Sequence, residues 1–312
     1  MSRPERIFCA CAPGLEAVLA RELASLGLSA RPVPGGAEAE GEEAAALACL
    51  GSRAADAVLL RLWAGPAAGL REGKREAARV AGPLPLVVRS ASGRGTVSVD
   101  AGGAPLFKRG WRARVGAAPL RESLAAGILL ACGFEGDRPF LDPMCGSGTL
   151  AIEAALIAAR RAPGLGRSFD FERLPGHDAA RTARLRAHLA ARGRSVTVPI
   201  AASDRNGGAV RLASRNAAAA GVGEIVRIAR AEAAVVVPPP GPGLCAVNLP
   251  YGVRLEERGA REALAALTPR LAGWELAVLA PARGEGPLPL PAESELRLRN
   301  GGLACRLLRY RP

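Results

Sequence analysis

Residues 140–155 read FLDPMCGSGTLAIEAA, and this stretch decides how the rest of the chain is interpreted. An apolar pair ends at Asp142, a glycine-containing turn follows, and a segment rich in helix-forming residues begins at Thr149. This order is typical of a strand, a tight loop and the first turn of a helix. Gly146 and Gly148 allow backbone angles that other residues avoid, so a ligand can approach the main chain. The free N–H groups of a helix start favour polar or anionic groups. The stretch predicts a loop for a nucleotide-type cofactor.

The composition and charge of the chain limit the classes of protein to which it can belong. With 312 residues, it is longer than one ordinary domain and suggests two or three. A hydrophobic content of 49% is enough for packed cores and argues against disorder. The net charge of +13 favours a polyanionic partner such as nucleic acid. An arginine-rich coding bias explains the scarcity of lysine, but it does not explain the net excess of positive charge.

The cysteines, the N-terminal residues and the longest uncharged run indicate where the protein works. The seven cysteines are odd in number and scattered without a zinc-type spacing. We therefore expect small core residues in a reducing compartment and no metal site. The first residues do not form a secretion signal. The uncharged run at 233–253 contains three consecutive prolines, which excludes a membrane helix. The sequence predicts a soluble cytoplasmic protein, and it leaves the oligomeric state open.

The pattern of apolar residues predicts an α/β fold after about residue 120. Strands at 140–142, 196–202, 225–229, 244–247 and 275–280 alternate with helices, which indicates a doubly wound parallel sheet. A hairpin at 296–309 closes the chain. Before residue 106, an α+β segment has a helix over residues 14–23 and a hairpin turn at 92–95. Residues 52–82 predict one helical piece and a Gly/Arg-rich portion.

Two basic segments have both a structural and an RNA-binding interpretation. Residues 106–114 read LFKRGWRAR, which either holds a phosphate backbone beside Trp111 or is a linker strand with Trp111 buried. Residues 164–195 form an arginine-rich insertion in which Asp178 caps a helix that runs through Arg192. That helix is either a solvated basic face or a surface that meets RNA. The sequence does not decide between these interpretations.

Polar residues follow the ends of several predicted strands, where α/β sheets bind their ligands. Asp204 closes the second strand and is the candidate for hydrogen bonds to a ribose, with helix capping as the alternative. Glu232 follows the third strand and could reach an adenine amino group, although an exposed surface residue is the simpler interpretation. The loop also satisfies a loose dinucleotide pattern, but a nicotinamide enzyme requires its ribose acid about 20 residues later, and Glu153 is too near while Asp204 is far.

Residues 248–251 read NLPY and indicate the chemistry of the acceptor. The side-chain oxygen of Asn248 and the carbonyl of Leu249, held by the rigid Pro250, are two acceptors for an exocyclic –NH2 group. Tyr251 offers a face for a base that has left its stack. Methyl transfer from a sulfonium needs orientation more than a strong acid or base. The tetrapeptide predicts transfer of a methyl group to an amine.

These motifs together resemble a known family. Residues 118–126 (APLRESLAA), 141–149 (LDPMCGSGT), 161–165 (RAPGL) and 248–252 (NLPYG), together with Asp204, are similar to the THUMP-containing class I S-adenosylmethionine-dependent methyltransferases that act on guanine N2. Among these enzymes, the chain is similar to the K/L-like group, which methylates bacterial 23S rRNA. The N-terminal residues 12–16 (APGLE) and 109–112 (RGWR) are similar too. The likeness is specific over about residues 105–280.

The resemblance implies a fold, a cofactor and a set of site residues. The implied fold is a Rossmann-like methyltransferase domain at 120–312, preceded by a ferredoxin-like segment at 1–50, a shortened THUMP-like RNA-binding module at 51–105 and a linker at 106–119. The implied target-base residues are Asn248, Leu249, Pro250 and Tyr251. The implied residues for S-adenosyl-L-methionine are Asp142, Pro143, Met144, Cys145, Gly146, Ser147, Gly148, Thr149, Asp204 and Glu232.

Two departures from the family pattern leave alternatives open. Leu249 replaces the first proline of the usual Asn-Pro-Pro-Tyr, and Ala231-Glu232 replaces the usual acid after the third strand. The expected substrate is guanine N2 in ribosomal RNA. The alternatives are a tRNA guanine, adenine N6 in RNA or DNA, and a non-catalytic RNA-binding factor that kept the cofactor fold.

Overall fold

The computed structural model describes residues 4–112, 120–250, 254–283 and 286–312, with only the backbone for 254–256. These residues form two compact units. The first unit comprises Met1–Lys108 together with Ala162–Gly193, and the second comprises Arg109–Arg161 together with Arg194–Pro312. The chain therefore passes from one unit to the other three times.

The described residues form strands, α-helices and short 3₁₀ turns. In chain order, the strands are β1 Glu5–Ala10, β2 Ser29–Val33, β3 Gly36–Gly41, β4 Ala57–Pro66, β5 Leu86–Ala91, β6 Arg94–Asp100, β7 Phe140–Asp142, β8 Ile200–Asp204, β9 Val226–Arg230, β10 Leu244–Asn248, β11 Glu275–Pro281, β12 Ser294–Asn300 and β13 Leu303–Tyr310. The α-helices are α1 Glu16–Ser25, α2 Ala44–Gly51, α3 Leu70–Ala81, α4 Glu122–Ala131, α5 Thr149–Ala158, α6 Ala179–Ala191, α7 Gly207–Ala219 and α8 Arg254–Leu267. Short 3₁₀ turns occur at Ala67–Gly69, Asp170–Arg173, Ala233–Val235 and Thr268–Leu271.

The first unit is built on one six-stranded sheet with the order β2-β3-β1-β4-β6-β5. Every neighbouring pair in it is antiparallel. The first four strands and two helices follow the β1-α1-β2-β3-α2-β4 order of a ferredoxin-like fold, and β5 and β6 extend the same sheet. The helix predicted over 14–23 and the hairpin turn at 92–95 are present as α1 and as the connection between β5 and β6.

The sequence interpretation of residues 52–82, one helical piece and a Gly/Arg-rich portion, did not include strand β4. Its first residues, Ala57 to Leu60, form a continuous apolar run because they lie inside the sheet between β1 and β6. Periodicity alone cannot tell such a run from a buried helix segment. The helix expected in this region is α3, which begins only after β4 has ended.

The arginine-rich insertion packs within the first unit. Asp178 caps α6, and its side chain accepts the Arg181 N–H at 2.9 Å, as the sequence predicted. The guanidinium of Arg186 donates to Glu172 at 2.6 Å and to the Arg167 carbonyl at 2.7 Å. The main-chain N–H of Gly164 donates to the Leu50 carbonyl at 2.9 Å. Part of the positive charge of this insertion is thus used for packing within the unit.

The second unit contains a seven-stranded sheet with the order β12-β13-β11-β10-β7-β8-β9. The strands from β11 to β9 are parallel, and β13 and β12 are added antiparallel at one edge. The predicted α/β class, with a parallel sheet and a closing hairpin, is confirmed. Strand β8 begins at Ile200 rather than at 196, directly after Pro199, which has no N–H for a central ladder.

The apolar residues form the cores that composition predicted. Helix α5 is buried along its whole length, so it lies within the second unit rather than on its surface. All seven cysteines are buried free thiols, as expected of small core residues. In the part of the chain that the structure describes, no helix has both the length and the apolar character needed to cross a membrane. The same residues contain no cluster of His, Cys, Asp or Glu side chains suited to a metal ion.

Candidate active site

The glycine loop lies at the carboxyl end of β7, in the centre of the parallel strands. Gly146 and Gly148 have φ values of +52° and +83°, in the left-handed region that favours glycine. A methyl group on Gly148 would lie 3.0 Å from the Cβ of Ala213, so the turn packs tightly against α7. A methyl group on Gly146 would meet nothing within 4 Å. The loop is therefore closed on one side and open above Gly146.

Hydrogen bonds fix the loop to the neighbouring strand β8 and to α7. The N–H of Cys145 donates to the Ser203 carbonyl at 2.9 Å. The amide nitrogen of Asn216, which is fully buried on α7, donates to the Ser147 carbonyl at 2.9 Å. The hydroxyl of Ser203 contacts the Pro143 carbonyl at 3.5 Å. The loop conformation is thus set before any ligand binds.

Asp142 is buried at the end of β7, with 2% of its surface exposed. Its Oδ1 accepts the Met144 N–H at 3.2 Å. Burial raises the pKa of Asp142 from 3.8 to about 8, the Met144 hydrogen bond opposes this shift, and the charge of Asp204 adds to it. Burial also raises the pKa of the Cys145 thiol, which disfavours the thiolate form that a nucleophile needs.

Asp204 closes β8 and is half-buried beside the loop. Its Oδ2 accepts the Gly146 N–H at 2.9 Å, and its Oδ1 accepts the Asn206 N–H at 2.8 Å. The residue that caps α7 is Asn206, so helix capping by Asp204, the alternative left open by the sequence, is not the arrangement found. Glu232 is exposed before the 3₁₀ turn that follows β9, and its side chain makes no capping hydrogen bond there.

Asn248 ends β10, which pairs directly with β7. Because both strands are parallel, their carboxyl ends, and hence Asn248 and the glycine loop, lie at the same edge of the sheet. The side-chain Oδ1 of Asn248 is buried and has no hydrogen-bond partner among the described residues. An unpaired buried acceptor is costly, by about 1–3 kcal/mol, and is rare in native proteins. Asn248 Oδ1 therefore keeps its capacity to accept a hydrogen bond.

Leu249 is held by both its main chain and its side chain. Its N–H donates to the Leu279 carbonyl of β11 at 3.1 Å. Its side chain, 3% exposed, belongs to an apolar cluster with Leu141 and Val247, against which Met144 also packs. The cofactor loop and the tetrapeptide thus share one core. Pro250 is half-buried, while Tyr251 lies outside the described residues.

Two buried ion pairs support α5 from behind the loop, and sequence reasoning did not assign them. Arg109 pairs with Glu153 at 3.4 Å, with side-chain exposures of 3% and 0%. Arg112 pairs with Glu122 at 3.1 Å and also donates to Thr149 Oγ1 at 3.1 Å. Burial of Trp111 and both arginines agrees with the packing interpretation of this basic stretch rather than with phosphate binding. Glu122 and Glu153 are acids on otherwise apolar helices, and this is the sequence signal that could have indicated buried ion pairs.

One cavity of the second unit lies away from these residues. It has a volume of about 540 Å³ and is lined by Val237, Pro238, Arg270 and Trp274, among others. These residues precede β10 and β11, so the cavity lies at the amino ends of the strands. It is therefore at the opposite edge of the sheet from Asp142, Asp204 and Asn248.

Comparison with known proteins agrees with this geometry. Residues 109–277 match the RMKL-like methyltransferase domain family (UPF0020), and residues 6–59 match the RlmL ferredoxin-like domain. The first match covers more than half of the chain. The chain belongs to the RMKL-like methyltransferase family. The family and the N-terminal ferredoxin-like fold expected from the sequence are thus confirmed.

Curated relatives of this chain are named ribosomal RNA large subunit methyltransferase K/L. The chain is 36% identical to the ribosomal RNA large subunit methyltransferase K/L of Vibrio campbellii over 239 aligned residues. The alignment covers 72% of this chain and 33% of that protein. It is 37% identical to the K/L enzyme of Shewanella sp. strain MR-4 over 250 aligned residues. That alignment covers 75% of this chain and 34% of the relative. The chain thus spans about a third of the length of these relatives.

A solved structure from Listeria monocytogenes, named a predicted N6-adenine-specific DNA methylase, has a TM-score of 0.86 at 24% identity and covers 99% of this chain and 97% of its own. The SMU.472 protein, solved in complex with SAH, has a TM-score of 0.82 at 24% identity and covers 100% of this chain and 99% of its own. At these identities, the comparison shows a shared fold across both units.

Proposed function

We propose that this protein is an S-adenosylmethionine-dependent RNA methyltransferase that modifies an exocyclic amine, namely N2 of guanine in 23S rRNA. Membership of the RMKL-like family and the name of the curated relatives support the reaction and the ribosomal substrate. The observation that carries the proposal is the buried and unpaired Oδ1 of Asn248 at the same sheet edge as the glycine loop. We also place the protein in the cytoplasm, where ribosomal RNA is found.

The residues around the glycine loop fit S-adenosylmethionine. The space above Gly146 leaves room for a ligand against the main chain, and the α5 N-terminus faces the same loop. The carboxylate of Asp204 is positioned beside this space to accept ribose hydroxyls, while Glu232 would lie near the adenine. Bound there, S-adenosylmethionine would supply a methyl group on a positively charged sulfur, a good electrophile. The loop atoms from Asp142 to Thr149 would hold the cofactor.

The tetrapeptide would orient the acceptor. Asn248 Oδ1 accepts one N–H of the amine, and the Leu249 carbonyl accepts the other. The nitrogen lone pair then points away from both acceptors and toward the methyl donor. As the N–C bond forms, the C–S bond of the sulfonium breaks, S-adenosylhomocysteine leaves, and the methylated amine releases one N–H proton to solvent. The two acceptors orient the amine, and orientation can contribute several kcal/mol to such a displacement. Pro250 would stiffen the peptide and Tyr251 would stack on the base.

The RNA partner is supported by the charge of the chain and by its first unit. The net charge of +13 favours a polyanion. We propose that residues 51–105 are a shortened THUMP-like RNA-binding module, that residues 106–119 link it to the remainder, and that the methyltransferase domain occupies 120–312. A guanine in tRNA and N6 of adenine are the alternative acceptors. The tRNA guanine is the same base in another RNA, and adenine N6 is also an exocyclic amine.

The test is transfer of a labelled methyl group from S-adenosylmethionine to total RNA of a strain that lacks the gene. Digestion to nucleosides identifies the product. N2-methylguanosine in 23S rRNA is the expected outcome, and N6-methyladenosine or a tRNA product would move the proposal to its alternatives. Complete absence of a labelled purine would leave only the non-catalytic RNA-binding interpretation.

An Asn248→Ala variant tests the role of the acceptor atom. We expect transfer to fall at least a hundredfold while the thermal shift produced by S-adenosylhomocysteine stays within error. The same truncation at Asn300, in the closing hairpin, is the matched control and should leave transfer unchanged. Full activity of Asn248→Ala would refute the assigned role.

A further inference from the structure

Three arginines lie together at the sheet edge that carries the candidate active site. Arg205 follows β8, Arg230 ends β9, and Arg211 is on the first turns of α7. We call them the arginine cluster. All three are exposed, and none forms an ion pair with a carboxylate among the described residues. None of the candidate roles assigned above includes them.

The cluster is closely spaced. A methyl group on Gly207 would lie 3.6 Å from Arg211 Nη1 and 4.0 Å from Arg230 Nε, so the two guanidinium groups face one small volume. A methyl group on Gly208 would lie 3.9 Å from Arg211 Nη2. The Nε of Arg230 donates to the Arg205 carbonyl at 3.1 Å, which fixes its position. The two glycines leave the volume open.

Some exposed arginines of the chain have a carboxylate partner. Arg6, Arg31 and Arg258 each pair with a glutamate, whereas no such pair involves Arg211 or Arg230 among the described residues. The carboxylate next to the cluster belongs to Asp204, and both of its oxygens already accept main-chain N–H groups. Like charges held near one another repel, so this arrangement favours an external anion.

The distance to the proposed target base suggests which anion this is. Arg230 pairs across the strands with Asp204, and β9 is three strands away from β10 in the sheet. At about 4.8 Å per strand, the cluster lies about 14 Å from the end of β10 along the same edge. This span corresponds to about four nucleotides at the 3.4 Å rise of one strand in a duplex. A phosphate of the bound nucleic acid can therefore reach the cluster.

We propose that the arginine cluster binds backbone phosphate groups of the RNA substrate, about four nucleotides from the base held by Asn248. The proposal rests on the proposed RNA methyltransferase function. Guanidinium groups suit phosphate because their N–H donors form a planar fork. The cluster contacts no base, so it positions the RNA on the catalytic unit without reading its sequence. The second unit thereby has an RNA contact of its own, separate from the THUMP-like module.

The test compares two double variants of the full chain that remove the same charge. Arg211→Gln/Arg230→Gln changes the cluster, and Arg258→Gln/Arg297→Gln removes two exposed arginines elsewhere in the second unit. Binding of a mixed-sequence single-stranded RNA oligonucleotide is measured by fluorescence anisotropy over a series of salt concentrations. We expect the cluster variant to bind roughly tenfold more weakly, with a salt slope reduced by about 1.4, and the control to change little.

Each outcome separates this proposal from the proposed function. Methyl transfer to RNA by the wild type, combined with unchanged RNA binding by the cluster variant, would refute the phosphate-binding role of the cluster and leave the proposed function intact. Equal weakening in both variants would assign the effect to net charge and also overturn it. A lost thermal shift with S-adenosylhomocysteine would assign the arginines to the cofactor instead. If the wild type neither binds nor methylates RNA, the proposed function fails, and this proposal fails with it.

Discussion

The Oδ2 of Asp204 accepts a hydrogen bond of 2.9 Å from the main-chain N–H of Gly146, although the two residues are 58 positions apart. This bond joins the end of β8 to the turn after β7, the two elements to which sequence reasoning assigned the cofactor. Asp204 thus holds the loop, in addition to the ribose contact that we propose for its carboxylate. Its second oxygen is used by Asn206, so both oxygens are structural acceptors.

We predict that Asp204→Asn weakens binding of S-adenosylhomocysteine by at least tenfold. Asparagine has one acceptor oxygen, so either Gly146 or Asn206 must face an –NH2 group and lose its bond. Loss of a hydrogen bond to a charged group costs about 1.5–3 kcal/mol. Isothermal titration calorimetry measures the affinity. Asp170→Asn, which changes a surface acid of the first unit, serves as the control, and equal affinity of both variants would contradict the prediction.

Leu249 explains how this chain tolerates the loss of the family proline. The leucine N–H donates to the Leu279 carbonyl, a bond that proline cannot make, and the side chain is buried in the core. The hydrogen bond and the packing replace the rigidity that a proline ring would give.

We predict that Leu249→Pro destabilises the protein by about 2–4 kcal/mol, because it removes the hydrogen bond and most of the side-chain packing. Urea unfolding measures the change. Leu249→Met keeps both the N–H and the apolar volume, and it should cost less than about 1.5 kcal/mol. A Leu249→Pro protein as stable as the wild type would show that the contact with Leu279 contributes nothing.

The buried ion pair between Arg109 and Glu153 leads to a second prediction about stability. Removing one member leaves a charge buried without its partner, so Arg109→Met should cost about 3–5 kcal/mol. The double variant Arg109→Met/Glu153→Met should recover much of this loss, because the uncompensated charge is gone. Arg258→Met, which breaks an exposed pair, should cost less than about 1 kcal/mol. Urea unfolding of the four proteins distinguishes these values, and a double variant weaker than Arg109→Met would contradict the argument.

The parts of the site that the sequence predicted are those that local chemistry determines. The strand, turn and helix around Gly146 follow from an apolar pair, two glycines and a helix-forming run, all adjacent in the chain. Asp204 and Asn248 could be placed at the same edge because parallel strands end together. Each is one polar residue at the end of an apolar strand, which is a readable pattern.

The parts that the sequence did not predict depend on contacts between distant residues. Glu153 lies on an apolar helix, and nothing near it in the chain identifies Arg109, 44 residues earlier, as its partner. The same holds for Gly164 and Leu50, whose contact places the insertion in the first unit. Strand β4 was missed because its buried residues show no alternation.

Asp142 gives the last prediction, because its carboxyl group is buried among apolar residues. In the folded protein its pKa is about 8, raised from 3.8 chiefly by burial. Between these two values the folded state holds a proton that the unfolded state has released. The free energy of unfolding therefore falls as the pH rises through this window, and the loss is complete above the folded pKa.

Asp142→Asn should remove this dependence, because the amide resembles the protonated acid and its oxygen can still accept the Met144 N–H. Relative to the variant, we expect the wild type to lose up to about 1.4 kcal/mol of unfolding free energy per pH unit between about pH 4 and 8. Urea unfolding of both proteins across this range measures the difference, in which other titrating groups cancel. Parallel curves would show that Asp142 is ionised in the folded protein at neutral pH. In that case a positively charged or hydrogen-bonding group must reach it, and the burial that the structure shows would not govern its protonation.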